Sequence, residues 1–208
     1  MNDDPALRAG HRWGDKKVGI VDFALISNEP AKDCFEGVRG RLEEKGVGVN
    51  YEQPAAGGRT RDDGEVLKWE VTVPESPAKR GELPFFCHDV TSRELRVPRE
   101  KRWITHPSKA TGVSGLTIYV SKERVEVLKK AYPAITGVEE SGKKGVFEIR
   151  SLSPVEGEGK AVLKILEPTD VEKRRVVTER GVLLDDLEIG ITDSSDDTNS
   201  TNRFEVGL

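Results

Sequence analysis

Apolar and polar positions alternate with two different periods along the chain, and these periods predict its helices and strands. In residues 31–45, Phe35, Val38 and Leu42 follow one another at spacings of three and four, which predicts an amphipathic helix ending at Gly46. Residues 66–73 alternate valine and tryptophan with charged side chains, which predicts a strand with one face in water.

The second half of the chain shows the same kinds of pattern. Residues 112–120 read as a strand, and Ser121 is placed to cap a helix over 121–131 that turns Val125, Leu128 and Ala131 inward. Further strands are predicted as follows: 19–26, 47–51 and 85–88 in the first half, and 134–138, 145–151 and 160–166 in the second. Residues 54–58 are predicted to be a Pro/Gly loop, and 91–102 a charged connector.

The order of these elements repeats, β-α-β-β-β and then β-α-β-β-β. We therefore predict an α+β fold of repeated βαβββ modules that form a curved mixed sheet with helices on its outer face. The predicted organisation runs as follows: a polar leader (1–16), a first module (17–92), a connector (93–111), a second module with extra strands (112–192) and a disordered acidic tail (193–208). In residues 174–192 the runs 176–177 and 182–184 look β-like.

Composition narrows the classes of partner. The chain has 208 residues, 34% of them charged, and a formal net charge of -4, so no basic field favours nucleic acid or an anionic membrane. The basic residues 173–175 have acidic neighbours and are interpreted as a solvated strand edge. No apolar run reaches a membrane span, and the two cysteines show no metal-ligand or disulfide spacing, so we expect a cytoplasmic protein.

Three stretches carry a resemblance to a known family. They read GRTRDDGEVLKW (58–69), LPFFCHDV (83–90), and THP with ATGV (105–107 and 110–113). They resemble the glyoxalase-like domain of the vicinal oxygen chelate superfamily, whose members include dioxygenases, isomerases and drug-sequestering proteins. The resemblance extends over roughly residues 11–170.

This resemblance implies two paired modules around a divalent metal, with ligands near the start of first strands and on fourth strands. Phe23, Gly115 and Lys164 stand where ligands would be expected, and none of them is a usual metal ligand. We therefore expect no metal cofactor, unless an upstream module that carries the ligands is missing from the chain. A truncated chain, a misplaced start and a lineage that lost the site are all open explanations.

Five side chains are candidate ligand contacts. Arg59 and Arg61 could clamp a carboxylate or phosphate, although Asp62 and Asp63 could neutralise them in a solvated hairpin. The other three are Trp69, as a stacking surface or part of the sheet, His88, as a cup residue or a backbone-bonded one, and His106, at a pocket mouth or in a turn. We predict a pocket on the concave face between the modules, with His88 and the two arginines on or near its wall.

The predicted function is the binding of a small polar organic molecule, in a relative of lyases, isomerases or dioxygenases whose metal site is degenerate or truncated. A non-enzymatic binding or sequestering protein is the first alternative. The second is an incomplete chain that lacks its N-terminal metal-bearing module, and an exposed sheet edge would then favour a homodimer.

Overall fold

A computed structural model of the chain describes residues 19–98, 100–150 and 160–191, the backbone of Asn202–Val206, and two helical positions, Ala6 and Ala9. In chain order the elements are β1 (Ala24–Leu25), α1 (Ala31–Glu44), β2 (Ala55–Thr60), β3 (Val66–Thr72), β4 (Phe85–Asp89), α2 (Lys101–Ile104), β5 (Ala110–Val120), α3 (Lys122–Thr136), β6 (Val146–Arg150), β7 (Lys160–Leu166), α4 (Val171–Arg180), β8 (Val182–Ile191) and β9 (Asn202–Val206). The predicted α+β class, with helices packed against mixed sheets, is confirmed.

The first sheet has the strand order β1-β4-β3-β2. Its strand β1 runs parallel to β4, and the remaining neighbours are antiparallel. Together with α1 these strands form a βαβββ unit in the predicted order, although its second strand is β2 and not the predicted 47–51.

The second sheet has the order β6-β7-β5-β8-β9. Strand β5 runs parallel to β7, as β1 does to β4 in the first sheet, and it pairs antiparallel with β8 on its other side. The second module is therefore a βαββ unit extended by β8 and β9.

The prediction of a strand over 134–138 is wrong. The first three of these residues form the end of α3, and Gly137 is its left-handed C-cap. Leu128, Ala131 and Ile135 are all buried and continue one helical stripe. Pro133 lies inside the helix, and because proline usually ends a helix, the sequence indicated a helix end there.

Strand β2 occupies a segment predicted to be a Pro/Gly loop. Its glycines are positions of close approach, which is a recognised role of glycine within strands. A Cβ at Gly57 would lie 2.5 Å from Nε1 of Trp69, and one at Gly58 would lie 2.8 Å from the carbonyl oxygen of Leu67. The loop prediction is wrong because small side chains served packing here and not turn formation.

Helix α4 replaces the β-like run predicted at 176–177 and the strand edge predicted at 173–175. The Asp170 carboxylate caps the helix by accepting hydrogen bonds from the amides of Glu172 and Lys173. Arg175 forms ion pairs with Glu172 and Glu179, one turn away on either side. These local helix signals outweighed the β-propensity of the two valines.

Strand β9 pairs antiparallel with β8 and lies within the segment predicted to be a disordered tail. Residues 203–206, Arg-Phe-Glu-Val, alternate polar and apolar side chains, a strand pattern that the acidic composition of the whole tail concealed. Residues 193–201, 207 and 208 lie outside the described part of the chain, as does the leader except for Ala6 and Ala9.

Two predicted strands are much shorter in the structure. Of residues 19–26 only β1 is a strand, although Ile20 forms an isolated bridge with Leu184 of β8. In 47–51 only Tyr51 makes a β-bridge, to Pro74, and its buried hydroxyl donates to the carbonyl of Pro84 at 2.8 Å.

One hydrophobic core joins the two modules. Helices α1 and α3 lie against each other and each covers one face of a sheet. The buried side chains come from both helices and from the sheets, and include Val38, Leu42, Phe86, Ile118, Leu128, Tyr132, Phe147 and Ile165. Within the described ranges, no helix is long and apolar enough to cross a membrane.

Candidate functional site

The register of the first sheet separates its side chains onto two faces. Phe86 lies opposite Thr72 in the ladder between β4 and β3, and His88 lies opposite Glu70. Phe86 belongs to the core beneath the helices, so this side is the helix-covered face. Trp69 and Cys87 point to the other side, which we call the open face.

His88 lies on the helix-covered face, so the prediction that it lines the concave wall is wrong. Side chains alternate along a strand, and His88 follows the core residue Phe86 by two positions, which puts both on the same side. Its ring stacks on that of Phe86, with 6.1 Å between centroids and 24° between planes. It is only 5% exposed, and neither ring nitrogen has a hydrogen-bond partner within the described structure.

Arg59 and Trp69 lie on the open face of the first sheet. Arg59 is opposite Leu67, and Trp69 is opposite Gly57, over which the indole lies. Arg61 is separated from them at the hairpin, where its Nη1 donates to the carbonyl of Leu95 at 3.0 Å and its Nη2 pairs with Asp63. The structure therefore groups one of the two predicted arginines with the tryptophan.

His106 is exposed and organises a turn. Its Nδ1 lies 2.6 Å from Oγ of Ser108 and accepts a hydrogen bond from the amide of Ser108, and the amide of Lys109 donates to its carbonyl. Of the two readings for this residue, the structure matches the turn. That Arg59, Arg61, Trp69, His88 or His106 binds a ligand stays a prediction.

An ion pair on the open face was missed by the sequence reasoning. Arg96 donates to both oxygens of the Asp89 carboxylate, at 2.7 and 2.8 Å, and these bonds hold the pKa of Asp89 below its usual value. Asp89 ends β4, and Arg96 follows a short 3-10 helix (Arg93–Leu95). The sequence signal for this contact is limited to the separation of Asp89 and Arg96 by seven positions across a connector.

A cleft between the two modules was also not predicted. Its volume is about 800 Å³, and we call it the inter-module cleft. The first module contributes Leu25, Ile26, Ser27, Asn28, Glu29, Cys34, Arg41 and Phe86, and the second contributes Ile135, Thr136, Gly137, Val138, Glu139, Ser141, Glu148, Ile149, Arg150 and Lys160. None of the five predicted contact residues is among these lining residues.

The apolar part of the cleft comes from both modules. Leu25 of β1 and Phe86 of β4 belong to one wall, and Ile135 of α3 and Ile149 of β6 to the other. Arg41 joins the two, because its Nε donates to the carbonyl of Ala134 at 2.6 Å. This bond orients the guanidinium group at the junction of the modules.

Cys34 is the thiol of the cleft. It is buried in the first turn of α1, and burial raises its pKa above the usual value, with a smaller contribution from the negative charge of Glu29. The thiol is therefore protonated at neutral pH and is a weak nucleophile.

The matching family model is described as a glyoxalase-like domain and covers residues 3–136, which is more than half of the chain. The chain belongs to the glyoxalase-like domain family. The match spans the whole first module and continues through β5 and α3 of the second.

A solved structure is also similar to this glyoxalase-like domain protein. It is a hypothetical protein from Staphylococcus aureus, with 14% sequence identity and a TM-score of 0.47. The similarity covers 72% of this chain and 53% of the other, so this chain spans about half the length of that protein. No curated protein sequence matches the chain.

The residues of this glyoxalase-like domain do not suit the divalent metal that its resemblance implies. Lys164 of β7 is an ammonium group paired with Glu188, Gly115 has no side chain, and Phe23 packs against the core. Within the ranges that the structure describes, no three His, Cys, Asp or Glu side chains are placed to hold a metal ion. A site needs about three such ligands, so the donor set does not fit.

Proposed function

We propose that this glyoxalase-like domain protein binds a small organic acid in the inter-module cleft. The observation that carries the proposal is the cleft itself, about 800 Å³ in volume and built jointly by the two modules. Ligand pockets usually measure about 300–1,000 Å³ and lie preferentially where structural units meet.

The walls suit a molecule with an apolar body and a carboxylate. Leu25, Phe86 and Ile135 offer apolar surface for the body. Arg41 offers a guanidinium group whose Nε is already bonded to Ala134, so its two terminal nitrogens are the donors left for a carboxylate. Because a fixed fork loses little freedom when it binds, this arrangement favours a planar anion.

The chemistry of the cleft favours binding over turnover. Its thiol, Cys34, is held protonated by burial, and no histidine is among the described lining residues to take a proton from it. We therefore propose a binding or sequestering role. Both cysteines are free thiols, which supports our proposal of the reducing cytoplasm as its compartment.

A titration followed by NMR tests the location. Benzoate, a planar carboxylate with an apolar ring, is added to uniformly ¹⁵N-labelled protein, and benzamide serves as the uncharged control. We expect benzoate to shift the amides of Leu25–Glu29 and Ile135–Glu139, and benzamide to shift them far less. Shifts confined to Arg59 and Trp69 would move the site to the open face of the first sheet and refute the cleft.

A charge-removing variant tests the role assigned to Arg41. Arg41→Gln is expected to weaken benzoate binding roughly 10- to 100-fold, the loss of about one charged hydrogen bond. Arg39→Gln, on the same helix but exposed and near Glu43, is the matched control and should bind as the unaltered protein does. Equal affinity in all three proteins by calorimetry would remove Arg41 from the site.

A further inference from the structure

A partly buried ion pair lies on the second sheet, on the face opposite the core. Lys164 Nζ lies 2.6 Å from Oε1 of Glu188, and the two side chains are 28% and 4% exposed. Lys164 of β7 pairs with Thr117 of β5, and Glu188 of β8 pairs with Gly115 of β5. The two charged side chains therefore meet above the central strand β5. Neither side chain belongs to the core, which takes the alternate residues Leu116, Ile118 and Val120.

Gly115 makes room for this pair. A Cβ at this position would lie 2.7 Å from both Cδ and Oε2 of Glu188, closer than real Cβ contacts. Any larger residue would therefore push the carboxylate out of its place beside Lys164. The strand is irregular here as well, since the register between β5 and β8 shifts on both sides of Gly115.

Lys164 lies on β7, which has the same place in the second module as β4, the last strand, has in the first. Strand β7 runs parallel to β5, as β4 runs parallel to β1. Lys164 points away from the core, as Phe85 and Cys87 of β4 do. A strand in this place is where the family resemblance implies a metal ligand. The structure has a positive charge there in place of a ligand.

We propose that the Lys164 ammonium is the resident cation beside Glu188 and that it replaces a divalent metal there. A carboxylate that is 4% exposed needs a positive partner, because an isolated buried charge is strongly unfavourable. Lys164 supplies that charge from within the chain. A divalent ion bound at Glu188 would lie within a few ångströms of the ammonium and be repelled by it.

Thermal unfolding and metal analysis test this inference independently of the cleft. After dialysis against MnCl₂ or ZnCl₂ and then buffer, the protein is expected to hold far less than one metal ion per chain. Its melting temperature should be the same in either metal as in EDTA. About one ion per chain, lost in Glu188→Gln, would make Glu188 a metal ligand and overturn the proposal.

Variants of the pair give the second arm of the test. Lys164→Met removes the ammonium group that is paired with the buried Glu188 carboxylate and is expected to lower the melting temperature by about 6–12 °C. Lys160→Met, on the same strand but in an exposed pair with Glu148, is the matched control and should change it by less than about 2 °C.

The double variant Lys164→Met/Glu188→Leu removes both charges and should recover most of the loss. It also decides the question if Lys164→Met does not fold. A double variant that melts near the unaltered protein supports the internal cation, and one as unstable as Lys164→Met refutes it.

Discussion

The substitution His88→Phe is expected to stabilise the protein at neutral pH. His88 is only 5% exposed, and both of its ring nitrogens lack partners within the described structure. An unsatisfied buried polar group costs about 1–3 kcal/mol. Phenylalanine keeps a ring that can stack on Phe86 and removes both polar atoms, so we expect a gain of about 1–2 kcal/mol.

The pH dependence of stability gives this prediction a second readout. Burial is the main effect on His88 and lowers its pKa, although Glu70, Glu29 and Asp89 oppose the shift. The unfolded chain then binds the proton more readily than the folded chain. With respect to the titration of His88, the free energy of unfolding is therefore highest above about pH 6.5, and it falls as the pH drops below that value.

Urea unfolding followed by circular dichroism between pH 5 and pH 8 measures both effects. The free energy of unfolding should be higher for His88→Phe at pH 7.5, and its decline toward pH 5 should be shallower than in the unaltered protein. A loss of about 1 kcal/mol or more in His88→Phe would refute the reasoning, because it would mean that the ring nitrogens have a partner.

Three further substitutions test other contacts. Arg124→Leu removes the ion-pair partner of the Glu82 carboxylate, which is 2% exposed, and should lower the free energy of unfolding in urea by about 2–3 kcal/mol. The double variant Arg124→Leu/Glu82→Met should lower it by less. Gly57→Ala should displace the Trp69 indole, because the new Cβ would lie 2.5 Å from Nε1; a red-shifted tryptophan emission would show the displacement, and unchanged emission would contradict the contact. Gly137→Ala places a side chain at φ 70°, and calorimetry should show a loss of about 1 kcal/mol, whereas no loss would argue against the left-handed cap.

Local patterns were sufficient for much of the fold. The spacing of Phe35, Val38 and Leu42 predicted α1. Alternation predicted β3, and a short apolar run predicted β4, each within one residue at each end. These patterns work because each element buries one face, and that face repeats every two or every three to four residues. The family was accessible from sequence for a different reason, since its motifs are short stretches of consecutive residues, two in the first module and one around the connector.

Some errors in the sequence reasoning came from residues whose local meaning is ambiguous. Glycine in β2 and Pro133 in α3 both signal breaks, yet here each is accommodated by packing. Gly57 receives the indole of Trp69, and the proline continues a buried helical stripe. A break signal acts through the backbone of a few residues, and tertiary contacts can outweigh it.

The sequence by itself determined helices α1 and α3, most strands of both sheets and the family, whereas α2 and α4 were not predicted. Only the tertiary structure decided which face His88 takes, where the cleft lies and what Lys164 binds. Arg41 and Ala134 are 93 positions apart, and Lys164 and Glu188 are 24 apart. No local period relates residues at such distances, because their contact depends on how the modules pack and on which strands flank β5. The contacts of Arg41 and Lys164 were therefore decided by packing between segments whose own structures were mostly predictable.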